Sequence, residues 1–454
     1  MKQLNSSSIQ RNNTFSSIFV KFGVCFLFLG LAYRLFSSSF VQFSPVLLGD
    51  GGDTGLPVDT TTPPPPRLLA EPPPETTDVD RLVSPASHNA SQNFTETCDL
   101  FTGEWIPDPN GPMYTNTTCR TIESPQNCMK NGRPDFDYVY WRWKPKDCNL
   151  PKFDPKKFLN IMRYKSLAFI GDSIMRNHVQ SLLCMLSPVE EAVEIYHDKT
   201  YRNRRWSFPT HHFTVSVIWS PFLMKAFTFE DDNGVSTGLI KLHLDEVDPV
   251  WTNAYEDLDY VIIAGGKWFL KSALYYENKT LVGCHNCHNE NITQLGFGYA
   301  YEKALSSTFK FMADSKKEKN KTPFILFRTS APDHFENGEW DTGGYCNRSR
   351  PFKMGEIEIN DTDEIMRRVE LGEFERAYSS FNDGEVSLMK MFDPTMLSLL
   401  RPDGHPGVYR EFHPYEGKGR DAKIQNDCLH WCLPGPIDSW NDLIMEMLVK
   451  DSKL

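Results

Sequence analysis

The chain has 454 residues, 40% hydrophobic and 13% aromatic, with a formal charge of -11. That length and apolar content suffice for at least one large core. The acidic balance, without a long basic run, excludes nucleic acid as a partner, because a phosphate backbone is met by clustered Lys and Arg.

Taken in chain order, residues 1–14 are polar and slightly basic, and residues 15–36, FSSIFVKFGVCFLFLGLAYRLF, have the length of one bilayer-spanning helix. Lys2, Arg11 and Lys21 precede the centre of that stretch and Arg34 follows it, so the positive-inside rule makes residues 1–14 a cytosolic tail. A cleaved signal peptide is the rival, but no convincing small-x-small cleavage site follows the apolar run. A retained signal anchor, with the remainder lumenal, is the prediction. Sequons beyond the span at Asn89, Asn93, Asn116, Asn278, Asn291, Asn347 and Asn360 suit a lumenal chain. With Cys25 in the span, ten of the eleven cysteines remain, an even number that allows five disulfides in an oxidising compartment.

Residues 37–97 are rich in Pro, Thr and acidic residues and too poor in apolar surface to pack, which makes them an extended stem. Residues 98–150 form a small Cys-rich lobe with the aromatic cluster YVYWRWKP. Its Cys98, Cys119, Cys128 and Cys148 staple it either internally or onto the main domain.

From 151 to 454 the chain alternates buried-strand runs with helical periodicity. SLAFI (166–170), DYVIIAGG (259–266) and TPFILFRTS (322–330) are strands of the doubly covered, parallel type. Met175, Val179, Leu182 and Leu186 share one side of a helix after the first, and Trp440, Leu443, Ile444 and Met447 one side of a helix near residue 440. The alternation predicts a three-layer α/β/α sandwich with a mainly parallel sheet, whose ligands lie beyond the carboxyl ends of the strands.

At the first such end, Gly171-Asp172-Ser173 puts a hydroxyl at a helix N-terminus, where free N–H groups and the helix dipole favour developing negative charge. Ser173 there is a candidate nucleophile, or else Asp172 or Ser173 is only a helix cap. Arg176 and Asn177 fall on the serine's side of the helical wheel. The matching base is His430 within NDCLHWCLPG, with Asp427 three residues before it, one helical turn away and able to fix the imidazole tautomer. Cys428 and Cys432 bracket the pair and would hold the loop if bonded. His334, beside Asp333, is a rival base. Gly266 could bring backbone close to a substrate, and Trp268 or Trp340 could stack on a sugar ring. Cys284, His285, Cys287 and His288 formally match a haem-attachment pattern or half a zinc site, but the second cysteine pair is missing and disulfides suit the compartment better. No metal is assigned.

FIGDSIMRNHVQSLLC together with DCLHWCLPGPIDSWNDLI resembles the plant trichome-birefringence-like family of Golgi polysaccharide O-acetyltransferases. CDLFTGEWIPD at 98–108 looks like the start of the family's N-terminal lobe, and TSAPDHFENGEWDTGGYC like its internal block. The resemblance implies an SGNH-esterase-like fold, Ser173 as nucleophile, His430 as base, Asp427 as its orienter, and Arg176 beside Asn177 as an oxyanion contact. It also implies a Golgi membrane location, an acetyl donor such as acetyl-CoA and a hemicellulose acceptor. Two positions depart from the family pattern: Lys267 stands where His is frequent in a Gly-His-Trp, and His178 where Gln is frequent. GGKWFLKSALYYENKTLVGCHNCHNENITQLGFGYAY looks most like the xyloglucan-acetylating branch, whose relatives act on mannan. A wall-polysaccharide acetylesterase and a noncatalytic polysaccharide-binding protein are the alternatives.

Overall fold

A computed structural model describes residues 98–227, 238–318, 322–381, 388–418 and 422–451. The tail, signal anchor and stem predicted over 1–97 lie outside these residues. Among those described, no helix is long and apolar enough to cross a membrane.

In the Cys-rich segment, β1 (Gly103–Pro107) and β2 (Trp141–Pro145) pair antiparallel with Trp105 opposite Trp143. The two indoles meet edge to face at 5.7 Å, a favoured aromatic geometry. The chain then forms β3 (Ser166–Gly171), β4 (Val193–His197), β5 (Arg204–Phe208), β6 (Phe213–Trp219), β7 (Met224–Phe227), β8 (Ile240–Val247) and β9 (Tyr260–Ile263). After these come β10 (Ala273–Glu277), β11 (Thr280–His285), β12 (Phe324–Arg328) and β13 (Met389–Phe392). The helices in chain order are α1 (Pro155–Ile161), α2 (Ser173–Leu186), α3 (Pro249–Tyr255), α4 (Gly296–Glu318), α5 (Asp361–Phe381), α6 (Thr395–Leu399) and α7 (Asp438–Asp451).

The central sheet runs β13-β12-β9-β3-β6-β5-β4. Its members from β13 to β6 are parallel, while β5 and β4 add on antiparallel. The three runs read as strands from sequence are therefore adjacent, in the order β12, β9, β3. Side chains alternate across them. Leu167, Phe169, Ile262 and Leu326 meet α1, α2 and α7 in one core, whereas Ala168, Ile170, Val261, Ile263, Ile325 and Phe327 meet α3, α4 and α5 in another. Two buried faces with helices on each make the predicted three layers, and the fold class is as expected.

A four-stranded sheet, β11-β10-β8-β7, was not foreseen. Its β10–β11 hairpin turns on Asn278 and Lys279, at φ of 49° and 62°, the pair of positive angles that a two-residue hairpin turn requires.

The amphipathic pattern of α2 understates its burial. From Asn177 to Leu186 every residue is buried, because α7 and the Cys-rich segment cover the face opposite the sheet. Gln180 accepts from the Glu123 N–H at 2.9 Å, Ser181 donates to Asp438 at 2.5 Å, and Cys184 is bonded to Cys119. The other disulfides are Cys98–Cys148, Cys128–Cys432, Cys284–Cys287 and Cys346–Cys428. The Cys-rich segment is thus stapled both internally and onto the main domain. Cys428 and Cys432 do not join each other; each ties the intervening residues to a different distant segment.

Candidate active site

The strand β3 ends where Gly171 takes φ +152°, and a Cβ there would lie 2.6 Å from the Ala264 carbonyl oxygen. Glycine is required both by the angle and by this close approach. Asp172 follows as the cap of α2, its Oδ1 accepting from the Ile174 N–H at 3.0 Å. Capping is thus the work of Asp172. Ser173 opens the helix half-buried, and its Oγ has no hydrogen-bond partner among the described residues. Burial raises the Asp172 carboxyl, with Arg328 opposing.

His430 reaches the same corner from the far end of the sequence. Asn177, one turn after Ser173, accepts from the Trp431 N–H at 2.7 Å and donates to the Trp431 carbonyl at 3.2 Å. Asn177 was expected to face the substrate. Instead it is 1% exposed and both its amide atoms are committed to the segment that carries His430. No direct hydrogen bond links Ser173 to His430 among the described residues.

Asp427 and His430 do not share a helical turn, as their spacing suggested. The segment is a bend, in which Asp427 Oδ1 accepts the N–H groups of Leu429 and His430 at 3.2 and 2.9 Å. The same carboxylate receives His430 Nδ1, at 2.9 Å to Oδ2, leaving Nε2 available. Burial alone would raise Asp427. The His430 ring and N–H, with Arg410 more distant, outweigh it and hold the carboxyl far below its ordinary value. The bend is pinned further by reciprocal bonds between Asp427 and Gly407, by Cys432 N–H to Gly404 and by Leu433 N–H to Gln126.

His334, the rival base, is buried with both ring nitrogens occupied, Nδ1 against His405 Nε2 at 2.7 Å and Nε2 against the Leu399 carbonyl at 2.8 Å. His405 in turn lies 2.7 Å from the His430 carbonyl and stacks on Trp431. Sequence reasoning missed His405. Its available signal was the tight RPDGHPG run. Arg133 of the Cys-rich segment donates to the His405 and Asp403 carbonyls, so that segment braces this run as well.

The remaining candidates line the strand ends beside Ser173. A Cβ on Gly266 would lie 2.5 Å from Asp172 Oδ2, so its backbone abuts the serine's turn. Trp268 meets Trp219 edge to face at 5.3 Å, and Arg176 lies 4.9 Å from the Trp219 ring centre. Burial lowers the Arg176 pKa, with Glu123 opposing. Trp219, at the end of β6 beside β3, was also missed, although the sheet-end rule would have found it once β6 was recognised. Trp340 is 51% exposed, and the Lys271 ammonium sits between it and Trp268 at 5.9 and 4.2 Å from their ring centres.

The two departures from the family pattern have different outcomes. Lys267 pairs with Asp333 at 3.0 Å and with Asp363. Burial would lower its pKa, and the two carboxylates more than reverse that. His178 is a core residue, edge-on to Phe169 and Trp440 at 5.0 and 5.2 Å. The sulfurs of Cys284 and Cys287 are consumed by their disulfide.

Residues 150–447 match a GDSL/SGNH-like acyl-esterase family found in Pmr5 and Cas1p, and residues 96–149 match the PMR5 N-terminal domain. The chain is 51% identical to protein trichome birefringence-like 25 of Arabidopsis thaliana over 448 residues, 98% of this chain and 94% of that one. It is 42% identical to xyloglucan O-acetyltransferase 1 of Populus trichocarpa over 354 residues, 78% of this chain and 81% of that one. The corresponding Arabidopsis thaliana protein, xyloglucan O-acetyltransferase 1, is 43% identical over 357 residues, 77% and 80% of the two chains.

Proposed function

Because this chain belongs to the trichome-birefringence-like branch of the GDSL/SGNH-like acyl-esterase family, we propose that it is a polysaccharide O-acetyltransferase working through Ser173, His430 and Asp427. The observation that supports this best is the Asp427–His430 contact at 2.9 Å, on a bend bonded through Asn177 to the helix that Ser173 opens. His430 Nε2 takes the Ser173 proton as Oγ attacks the acetyl carbonyl, and the leaving group of the donor departs with that proton. A sugar hydroxyl then gives its proton to His430 and attacks the serine ester, and as the C–Oγ bond breaks Oγ takes that proton from the imidazolium, restoring both groups. The Ser173 N–H, which lies outside the Asp172 cap that holds the Ile174 and Met175 N–H groups, faces the oxyanion, with Arg176 beside it. Asp427 stays ionised and stabilises the imidazolium formed in each half-reaction.

Xyloglucan is the acceptor favoured by this reading, on the strength of the relatives that carry that name. Gly266, Trp268 and the newly found Trp219 are the contacts expected for its sugars. The donor is acetyl-CoA or another acetyl carrier. In this reading the predicted anchor makes the chain a single-pass membrane protein with this site lumenal, and the Golgi is the membrane that the family resemblance implies.

Incubating the purified full chain with acetyl-CoA and oligosaccharides of xyloglucan, mannan, xylan and pectin tests the proposal by mass spectrometry. Acetyl gain on xyloglucan, absent in Ser173→Ala, is the expected result. Gain only on another glycan would reassign the acceptor. Acetate release from acetylated glycans with no transfer would make the protein an esterase.

A further inference from the structure

His334 and His405 raise a question of proton number. His334 Nε2 is 2.8 Å from the Leu399 carbonyl, and His405 Nδ1 is 2.7 Å from the His430 carbonyl. A carbonyl oxygen only accepts, so each of these nitrogens must carry a proton. Between the rings, His334 Nδ1 and His405 Nε2 are 2.7 Å apart, and that contact needs a third. Two neutral imidazoles hold only two. We infer that this pair carries one shared extra proton, and that His405 is a positioning residue which holds the main chain of His430 through it.

The inference rests on the acyl-transfer reading of His430 for its functional meaning, but the proton count stands independently. His405 is set to act on the base and not on the substrate. It is 4% exposed, stacked on Trp431 at 4.3 Å, and its own carbonyl is gripped by Arg133. The charged and titratable groups around the pair are few. Asp427 and His430 face His405, while Asp333, Asp403 and Lys267 act on His334. The acids are already occupied: Asp427 by His430, Asp403 by Arg401, and Asp333 by Lys267. The shared proton therefore has no dedicated counter-charge. Burial lowers both imidazoles, His405 well below its ordinary value with His334 adding to the effect. The proton is consequently held less tightly than on an ordinary imidazole and leaves as pH rises. One of the three contacts then sets lone pair against lone pair, and the His430 carbonyl loses its fixed donor.

Two substitutions separate positioning from bulk. His405→Phe keeps an aromatic ring against Trp431 but has no donor. His405→Asn keeps an N–H near the Nδ1 position and cannot titrate. The test combines nitrogen-15 spectra of the histidine-labelled full chain with kcat and KM measured from about pH 5 to about pH 8. Two imidazoles joined by a coupling across an N–H···N bond, with three protonated nitrogens between them at the acid end, are expected. Wild-type kcat should step down as that third proton is lost. His405→Asn should lack the step, and His405→Phe should lose on the order of 10–100-fold in kcat with KM within about twofold. Two protonated nitrogens at every pH would overturn the inference, as would a His405→Asn profile identical to wild type. If no acetyl transfer is seen at all, the acyl-transfer reading fails, and the nitrogen count still decides the proton.

Discussion

Asn177 and Trp431 are 254 positions apart and bonded to each other twice, with the asparagine amide spanning the tryptophan's N–H and carbonyl. Through this pair the helix that Ser173 opens and the bend that presents His430 become one piece. Asn177→Ala should therefore reduce kcat by at least tenfold while leaving Ser173 and His430 chemically intact. It should also cost about 1–3 kcal/mol, because two buried backbone groups lose their partner. Urea unfolding alongside a transfer assay checks both halves.

Asp427 is both the partner of the imidazole and the cap of its bend. Asp427→Asn should lower kcat by roughly 10³–10⁴-fold, through loss of tautomer control and of the charge facing His430⁺. Its stability effect depends on pH. The depressed native pKa stabilises the fold above the unfolded value and loses that contribution as pH falls through the native one. The melting temperatures of wild type and Asp427→Asn should accordingly differ by a constant amount above the ordinary carboxylate range and draw together progressively as pH falls below about 4 toward the depressed native value.

Lys267 pairs with two acids, the buried Asp363 and the half-buried Asp333. Lys267→Met leaves them facing each other and should destabilise the protein by about 3–5 kcal/mol. Adding Asp363→Asn to that variant should recover part of the loss. A double-mutant cycle measured by thermal denaturation gives the coupling directly.

Glu370 is buried beneath the strand ends, accepting from the Tyr301 hydroxyl at 2.6 Å and the Ser330 N–H at 2.9 Å. Burial, opposed by those bonds, pushes its carboxyl up to about 7. A raised acid penalises the native state once it must ionise, so its cost is absent below the unfolded value near pH 4.5 and complete above about 7. The drop across that window is on the order of 3 kcal/mol. Glu370→Gln should flatten the decline of melting temperature between these limits and leave the acid end unchanged.

Strands β3, β9 and β12 were legible because each is buried on both faces, which writes an unbroken apolar run. The hairpin of β10 and β11 was not, since its one-sided burial dilutes the pattern with Tyr, Glu and Lys, and its significance depends on β8, which precedes it by more than a helix. Gly171, Asp172 and Ser173 stood out because a strand end, a cap and a hydroxyl coincide within three positions. Asp427 and His430 were found as a pair, but by way of a helical turn that does not exist. A carboxylate that binds backbone N–H groups gives the same i, i+3 proximity without a helix. Asn177, Trp219 and His405 were misplaced or missed for a common reason. Their roles arise from long-range contacts with Trp431, Arg176 and His334: the sheet-end rule reaches Trp219 only once β6 is known, and the RPDGHPG run marks a tight turn without telling what it holds.

The bond between Cys128 and Cys432 spans 304 residues, and with Cys346–Cys428 it encloses His430. During synthesis the early cysteine must stay uncommitted while the intervening polypeptide emerges, and a premature bond with an earlier thiol would strand the base outside its bend. On the acyl-transfer reading, competence of the site is thereby tied to oxidation: with these two bonds unformed the bend loses both of its covalent ties, and the reduced chain is expected to be inactive.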